Sequence, residues 1–230
     1  PVEREVRKRV QEAKEAIGNK GLALFAVFPI CFTPATMAVG LEDLSLKLYD
    51  DLPFVEAVLD LYTNYCEALV EILSSCSEID MIWLADDIAF NSGILFKLEV
   101  FKEVILPRYQ RVARKILKPW AFHSDGDLTA VLDDLLSLGM SALQPIQPEA
   151  MDIFKVKREI GDRVCLIGNL SLDILANGTE NQVKDEVFHL ADICGKGGGY
   201  MLSSSNTITD WVKPENVMAM GKAIKDFNEK

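Results

Sequence analysis

The sequence has few of the features that mark secreted or membrane-spanning proteins. Its five cysteines include no C-x-x-C pair, which favours reduced thiols over a disulfide framework or a cysteine-rich zinc knuckle. No apolar run approaches the ~20 residues that cross a bilayer, and no charged segment followed by an apolar one opens the chain. We therefore expect a cytoplasmic protein with no membrane partner.

Basic residues are also in deficit. The 24 Lys and Arg residues are outnumbered by 35 Asp and Glu residues, which gives a formal net charge of −11. A phosphate-backbone partner requires a concentrated basic face, so the charge argues against nucleic-acid binding. The length of 230 residues and the 49% hydrophobic content are enough for one domain with a substantial core, and we expect a single domain over residues 1–230.

The chain does contain six apolar runs, each followed by a helical pattern, and this alternation predicts a parallel α/β fold. The expected strands lie near residues 22–30, 81–86, 119–123, 141–146, 163–167 and 199–203. The choice is between an open doubly wound sheet and a TIM-barrel-like (β/α) fold. Polar residues at several successive strand ends favour the barrel, because an open sheet concentrates its site at one switch point.

The polar residues at the strand ends are the candidate site. His123 and Asp125 are two apart, which places both side chains on one side of a strand, whereas Asp86 and Asp87 are adjacent and should face opposite sides. The alternative is structural: the strand is followed by an Asp-Gly turn, and Asp127 caps the next helix. This would explain the polar residues after the strand without a functional site. We predict that Asp86 or Asp87, His123, Asp125, Gln147, Asn169 and Ser205 converge on one cavity. The further expected substrate contacts are Phe32, Met37, Gln144, Ser204 and Asn206.

Several segments together resemble the uroporphyrinogen decarboxylase family. They are Trp83–Phe90, Phe122–Gly126, Pro145–Gln147 with Ala150–Asp152, Lys157–Arg163, Gly168–Asn169, Gly178–Thr179, Gly197–Tyr200 and Lys213–Val217. The similarity runs from about Leu22 to the end and implies an eight-unit barrel with its pocket at the C-terminal face. This chain is expected to supply about six units. The others, with the arginine-bearing segment that grips propionates, are expected from a missing N-terminal segment or from another chain, such as a second copy.

The family includes corrinoid- and coenzyme M-linked methyltransferases, which hold zinc through a His-x-Cys pair and a later Cys. His123 matches the His, Asp125 stands in place of the first Cys, and Ser204, Ser205 and Asn206 occupy the late segment without a thiol. The resemblance thus implies a zinc site of His123 and Asp125, with Asp86, Asp87 or Glu103 as a further ligand. Such a site suits an oxygen-bound substrate, such as a methyl ether, better than a thiolate.

The family also includes the decarboxylases of haem biosynthesis, in which a carboxylate on the Asp86 strand and a late His are expected. Asp86 or Asp87 fits the carboxylate, whereas Asn206 falls where the His would lie. Methyl transfer with a corrinoid carried by a partner protein is therefore the favoured prediction. Decarboxylation of a tetrapyrrole precursor and a non-catalytic scaffold that binds a partner both stay open.

Overall fold

The computed structural model describes residues 2–229, which form two compact units. The first unit comprises the chain up to Ile88 together with Ile94–Ser124 and Ala130–Ser141, and the second comprises Ala89–Gly93, Asp125–Thr129 and the chain from Ala142 onward. The expectation of one continuous domain stays a prediction.

Strands and helices alternate along the chain as predicted. The strands are β1 (Phe25–Pro29), β2 (Met81–Ala85), β3 (Ala89–Phe90), β4 (Gly93–Ile94), β5 (Trp120–His123), β6 (Ala142–Gln144), β7 (Cys165–Ile167) and β8 (Tyr200–Met201). The helices are α1 (Val2–Ile17), α2 (Phe32–Val39), α3 (Leu41–Asp50), α4 (Leu52–Ser74), α5 (Leu98–Val100), α6 (Leu106–Ala113), α7 (Leu132–Leu136), α8 (Ile153–Ile160), α9 (Leu172–Asn177), α10 (Glu180–Cys194) and α11 (Pro214–Asn228). A π-helical turn (Phe101–Ile105) and a 3-10 turn (Thr129–Val131) complete the set.

Three parallel strands form the centre of the first unit. β1 pairs with β2, and β2 pairs with β5, which places Phe25 opposite Met81 and Ile82 opposite Trp120. The strand ends are held in register, because the backbone N–H of Asp86 donates to the carbonyl of His123 at 2.9 Å. Continuous apolar strands of this kind are typical of sheets covered by helices on both faces.

The long helix α4 covers this sheet with one apolar stripe, whose buried members include Val55, Leu59 and Cys66. Asp51 caps it, since its side chain accepts the N–H of Phe54. Next to Pro107, a π-helical turn interrupts the helical segment directly before α6. A proline lacks the N–H of the regular helical ladder, and a π turn accommodates that gap.

The second unit also contains three parallel strands, because β6 pairs with β7 and β7 pairs with β8. The predicted strand units are thus confirmed, although the second-unit strands are shorter than expected. Two helices differ from the sequence prediction. Phe32 and Met37, expected as substrate contacts after the first strand, lie on helix α2, and the sequence did not predict α9. No helix in the described part of the chain is long and apolar enough to cross a membrane.

Candidate active site

Asp86 lies at the end of β2, fully buried against the first turn of α2. Its Oδ2 accepts the backbone N–H groups of Cys31 at 3.0 Å and Phe32 at 2.8 Å, and its Oδ1 accepts the N–H of Thr33. The hydroxyl of Tyr109 donates to Oδ2 at 2.9 Å. A helix N-terminus has free N–H groups and a partial positive charge. This carboxylate accepts hydrogen bonds from those N–H groups, and its negative charge interacts favourably with the partial positive charge. Of the two adjacent carboxylates, Asp86 is therefore the one that meets the N-terminus of α2.

Burial dominates the electrostatics around Asp86. It raises the pKa of the Asp86 carboxyl, although the four hydrogen-bond donors act in the opposite direction. Burial likewise raises the pKa of the Tyr109 hydroxyl and of the Cys31 thiol, with the neighbouring Asp86 charge adding to both shifts. Cys31 is fully buried, as free cysteines in apolar cores commonly are. A catalytic role for Asp86 stays a prediction, and its contacts favour Asp87 as the accessible member of the pair.

Asp87 and His123 form a pair at the ends of the neighbouring strands β2 and β5. The Asp87 Oδ1 lies 3.5 Å from His123 Nε2, with the Asp87 side chain about half exposed and the His123 side chain mostly buried. The backbone N–H of Asp87 donates to the Oγ1 of Thr33 at 2.8 Å. The first turn of α2 therefore holds the Asp86 carboxylate through its N–H groups and the backbone of Asp87 through the Thr33 hydroxyl.

The remaining predicted residues of the first unit lie in different environments. Phe32 is buried and packs edge-on against Phe96, with ring centroids 5.1 Å apart, and Met37 is exposed on α2. Glu103 is exposed on the π-helical turn. Roles in substrate or metal binding for Phe32, Met37 and Glu103 stay predictions.

The second unit contains a polar cavity of about 300 Å³. We call it the polar cavity throughout. The residues that line it are Asp125, Gln147, Glu149, Leu172, Ser205, Asn206, Thr207 and Thr209. Asp125 accepts a hydrogen bond from Asn206 Nδ2 at 2.6 Å, and this fixes the carboxylate. Gln147 accepts the N–H of Gly126 at 2.8 Å and donates to Asn91 Oδ1 at 3.1 Å.

Gly126 allows this arrangement, because the chain turns sharply after the His-Ser-Asp sequence. Its φ is +89°, and a Cβ there would lie 2.6 Å from the carbonyl oxygen of Ala89. Asp127 accepts the N–H of Thr129 at 2.9 Å, so the predicted cap at this position is confirmed, although the first turn is 3-10. The turn places Asp125 in the polar cavity.

The structure brings some of the predicted second-unit residues together and separates others. Asp125, Gln147, Ser205 and Asn206 line the polar cavity. Gln144 and Asn169 are buried outside its lining, and the Asn169 amide donates to the carbonyl of Ile146 at 2.6 Å. Ser204 donates to the carbonyl of Asn206 at 2.8 Å. Convergence of residues from both units on one cavity stays a prediction.

Sequence reasoning missed four residues that line the polar cavity: Glu149, Leu172, Thr207 and Thr209. Glu149 follows the predicted Gln147 by two positions, so an extension of the strand-end rule into the loop would have found it. Thr207 and Thr209 continue the polar run that begins at Ser203. Leu172 gave no sequence signal.

Comparisons with known proteins agree with the fold and with the family resemblance. The sequence profile of the uroporphyrinogen decarboxylase (URO-D) family matches residues 3–227. A solved methyltransferase from Methanosarcina mazei superposes with a TM-score of 0.80 and 21% identity, over 97% of this chain and 64% of that chain. That likeness concerns the fold alone, and it confirms the predicted (β/α)-barrel-like class.

Curated relatives extend the comparison to sequence. A methylated-thiol–coenzyme M methyltransferase from Methanosarcina mazei is 24% identical over 184 residues, which is 76% of this chain and 48% of the relative. A methylcobamide:CoM methyltransferase from Methanosarcina barkeri is 27% identical over 75% of this chain and 49% of the relative. A uroporphyrinogen decarboxylase from Pseudoalteromonas translucida is 32% identical over 80 residues, 35% of this chain and 22% of the relative. The chain thus spans about half the length of these methyltransferases.

Proposed function

The chain belongs to the uroporphyrinogen decarboxylase family, and within that family we propose that it takes part in corrinoid-linked methyl transfer. The similar methyltransferases match about three quarters of the chain, whereas the similar decarboxylases match about one third. The reaction moves a methyl group between a small substrate and a corrinoid carried by a partner protein. The observation that carries the proposal is the Asp87 and His123 pair at the ends of adjacent strands.

A divalent metal fits the residues at this position. Asp87, His123 and Asp125 each offer one ligand atom. Asp125 follows His123 by two residues, so their Cα atoms are at most about 7 Å apart. One imidazole nitrogen with two carboxylate oxygens is a donor set that zinc accepts at catalytic sites, with a further position for substrate. Such a bound ion acts as a Lewis acid toward a coordinated oxygen.

The protein's own contacts prepare this donor set. Thr33 holds the backbone of Asp87 through its hydroxyl, and Asn206 holds the Asp125 carboxylate through its amide. Hydrogen bonds behind metal ligands fix their orientation and increase metal affinity. The Asp87 side chain stays about half exposed, so a substrate approaches from its side.

Two observations favour methyl transfer over decarboxylation. The Asp86 carboxylate is fully buried and accepts four hydrogen bonds, so it offers no accessible oxygen to a substrate. In the late segment Asn206 stands where the decarboxylase interpretation expects a histidine, and its amide is engaged with Asp125.

The metal site can be tested with the two histidines of the chain. The purified protein is loaded with Zn²⁺, dialysed and analysed for metal, as wild type, His123→Ala and His189→Ala. We expect wild type and His189→Ala to retain about one equivalent of zinc and His123→Ala to lose it. His189 is the matched control, because it lies on α10 and packs against Phe154 of α8, with ring centroids 5.0 Å apart. Equal zinc retention by both variants, or no zinc in wild type, would contradict the metal site. It would favour a non-catalytic partner-binding scaffold or a decarboxylase instead.

A second pair of variants tests whether Asp125 is a metal ligand. Asp125→Asn should weaken zinc binding by about tenfold or more, because a neutral amide is a poorer ligand than a carboxylate. Asp127→Asn changes the same charge two residues away and should leave zinc affinity unchanged. Circular dichroism of both variants should match wild type, since neither residue contributes to the apolar core.

A further inference from the structure

Two amide side chains of the second unit form hydrogen bonds that hold the loops around the polar cavity. The side-chain oxygen of Gln147 accepts the N–H of Gly126 at 2.8 Å, and its NH₂ group donates to Asn91 Oδ1 at 3.1 Å. The amide of Asn169 donates to the carbonyl of Ile146 at 2.6 Å. The sequence predicted Gln147 and Asn169 as substrate contacts, whereas these hydrogen bonds favour a role in holding the backbone.

Ile146, directly before Gln147, has a left-handed backbone conformation. Its φ is +54°, which is unusual for a residue with a Cβ and rarer still for a β-branched one. Two contacts hold it there, because its side chain is buried and its carbonyl is the acceptor of the Asn169 amide. Strained residues that their surroundings hold in this way are concentrated at functional sites. The backbone from which the Gln147 side chain projects is therefore fixed.

Gln147 connects two segments of the second unit. One is the turn at Gly126, whose φ is +89° and whose Cα approaches the Ala89 backbone so closely that an added Cβ would lie 2.5 Å from the Ala89 carbonyl carbon. The other is the segment Ala89–Gly93, which the Gln147 amide reaches through Asn91. The turn is thus held between this segment and the Gln147 side chain.

The same hydrogen bond fixes Asp125. The N–H of Gly126 belongs to the planar peptide group that joins Asp125 to Gly126, so an acceptor on this N–H sets the orientation of the Asp125 main chain. The Asp125 carboxylate is bonded separately, because its Oδ2 accepts from Asn206 Nδ2 at 2.6 Å. Gln147 therefore holds the backbone of Asp125 and Asn206 holds its side chain, and all three residues line the polar cavity.

We propose that Gln147 is a positioning residue for Asp125. Its amide, oriented by the left-handed Ile146, holds the N–H of Gly126 and thereby presents the Asp125 carboxylate to a divalent cation. The inference rests on the proposed function, since Asp125 is one of the proposed metal ligands. Residues behind a metal ligand increase metal affinity by fixing its orientation.

The test compares three substitutions. Gln147→Met keeps the length of the side chain and removes both amide hydrogen bonds. Gln147→Glu keeps an acceptor for the N–H of Gly126, and the exposed Asn91 amide can turn its NH₂ group toward the second carboxylate oxygen. Gln11→Met is the matched control, because it makes the same change on α1, where Gln11 donates to Glu15 at 2.9 Å.

Two quantities are measured on the full chain. The dissociation constant for Zn²⁺ is determined by competition with a chromophoric chelator, and the hydrogen-exchange rate of the Gly126 amide is determined by NMR on the metal-free protein. Circular dichroism checks that each variant is folded. The second quantity does not depend on metal binding, so it reports on the hydrogen bond itself.

We expect Gln147→Met to weaken zinc binding by about tenfold and to speed the exchange of the Gly126 amide by about fivefold. Gln147→Glu should restore the wild-type exchange rate and bind zinc at least as tightly as wild type. Gln11→Met should match wild type in both measurements. If Gln147→Met does not fold, Asn91→Ala removes only the second amide hydrogen bond and should weaken zinc binding by about twofold to threefold.

The outcomes separate this inference from the proposed function. If wild type binds zinc and Gln147→Met binds it equally tightly, or if Gln147→Glu loses as much affinity as Gln147→Met, the positioning role is wrong and the metal site stands. An unchanged affinity in Asn91→Ala, where that variant is used, has the same meaning. If wild type binds no zinc, the proposed function fails. The exchange rate of the Gly126 amide then decides the inference: a rise in Gln147→Met that Gln147→Glu reverses supports it, and equal rates in all variants overturn it.

Discussion

Removal of the Asp86 carboxylate should destabilise the first unit more than any change at its neighbour Asp87. In Asp86→Ala, four buried donors lose their acceptor: the N–H groups of Cys31, Phe32 and Thr33 and the hydroxyl of Tyr109. An unsatisfied buried donor costs about 1–3 kcal/mol, and fraying of the first helical turn recovers part of this. We therefore expect Asp86→Ala to lower the free energy of unfolding by about 3–5 kcal/mol.

The free energy of unfolding of Asp86→Asn should lie between those of Asp86→Ala and wild type. Its amide oxygen still accepts from one side, but its NH₂ group faces a donor, which costs about 2 kcal/mol. The control, Asp87→Ala, removes an exposed carboxylate and should change stability by no more than about 0.5 kcal/mol. Urea unfolding is followed by tryptophan fluorescence in a Trp211→Phe background, so that the signal comes from Trp83 and Trp120 on β2 and β5 of this unit. Equal midpoints for Asp86→Ala and Asp87→Ala would refute the structural role of Asp86.

Three further changes have effects that follow from single contacts. Tyr109→Phe removes one of the donors to Asp86 and should cost about 1 kcal/mol in urea unfolding. Arg108→Met should cost about 2–3 kcal/mol, because the buried guanidinium donates to the carbonyl of Val104 at 2.6 Å in the π-helical turn. Thr179→Ala removes the capping box of α10 and should cost about 1 kcal/mol, measurable as a lower thermal midpoint.

Each of these has an outcome that would contradict it. Arg114→Met removes an exposed guanidinium from the end of the same helix, and a loss equal to that of Arg108→Met would show that burial of Arg108 is irrelevant. For Tyr109→Phe the contradicting result is a gain in stability. For Thr179→Ala it is an unchanged thermal midpoint.

The sequence was sufficient where local patterns decide the structure. The buried stripe of α4, with Val55, Leu59 and Cys66, follows directly from helical spacing. The opposite directions of Asp86 and Asp87 follow from the two-residue period of a strand. Of the residues expected at the strand ends, Asp125, Gln147 and Ser205 line the polar cavity, and a role for them in binding stays a prediction.

What the sequence did not reveal depends on contacts between distant segments. The N–H groups that hold Asp86 come from Cys31–Thr33, more than fifty residues earlier in the chain. Helix α2 was missed because its segment has no charge and contains Pro34, although a proline in the first turn removes no helical hydrogen bond. Glu149, a carboxylate in the cavity, was missed because it lies in the loop beyond the strand end.

The most direct test of the account is whether the zinc-loaded chain consumes methylcobalamin in the presence of a methyl acceptor. The change in the visible spectrum of the corrinoid reports the transfer, and the comparison is between wild type, metal-free wild type, His123→Ala and His189→Ala. The account predicts that zinc-loaded wild type and His189→Ala consume methylcobalamin, while the metal-free protein and His123→Ala do not. Equal rates in all four samples, or no consumption in any of them, would contradict metal-assisted methyl transfer at the Asp87, His123 and Asp125 position.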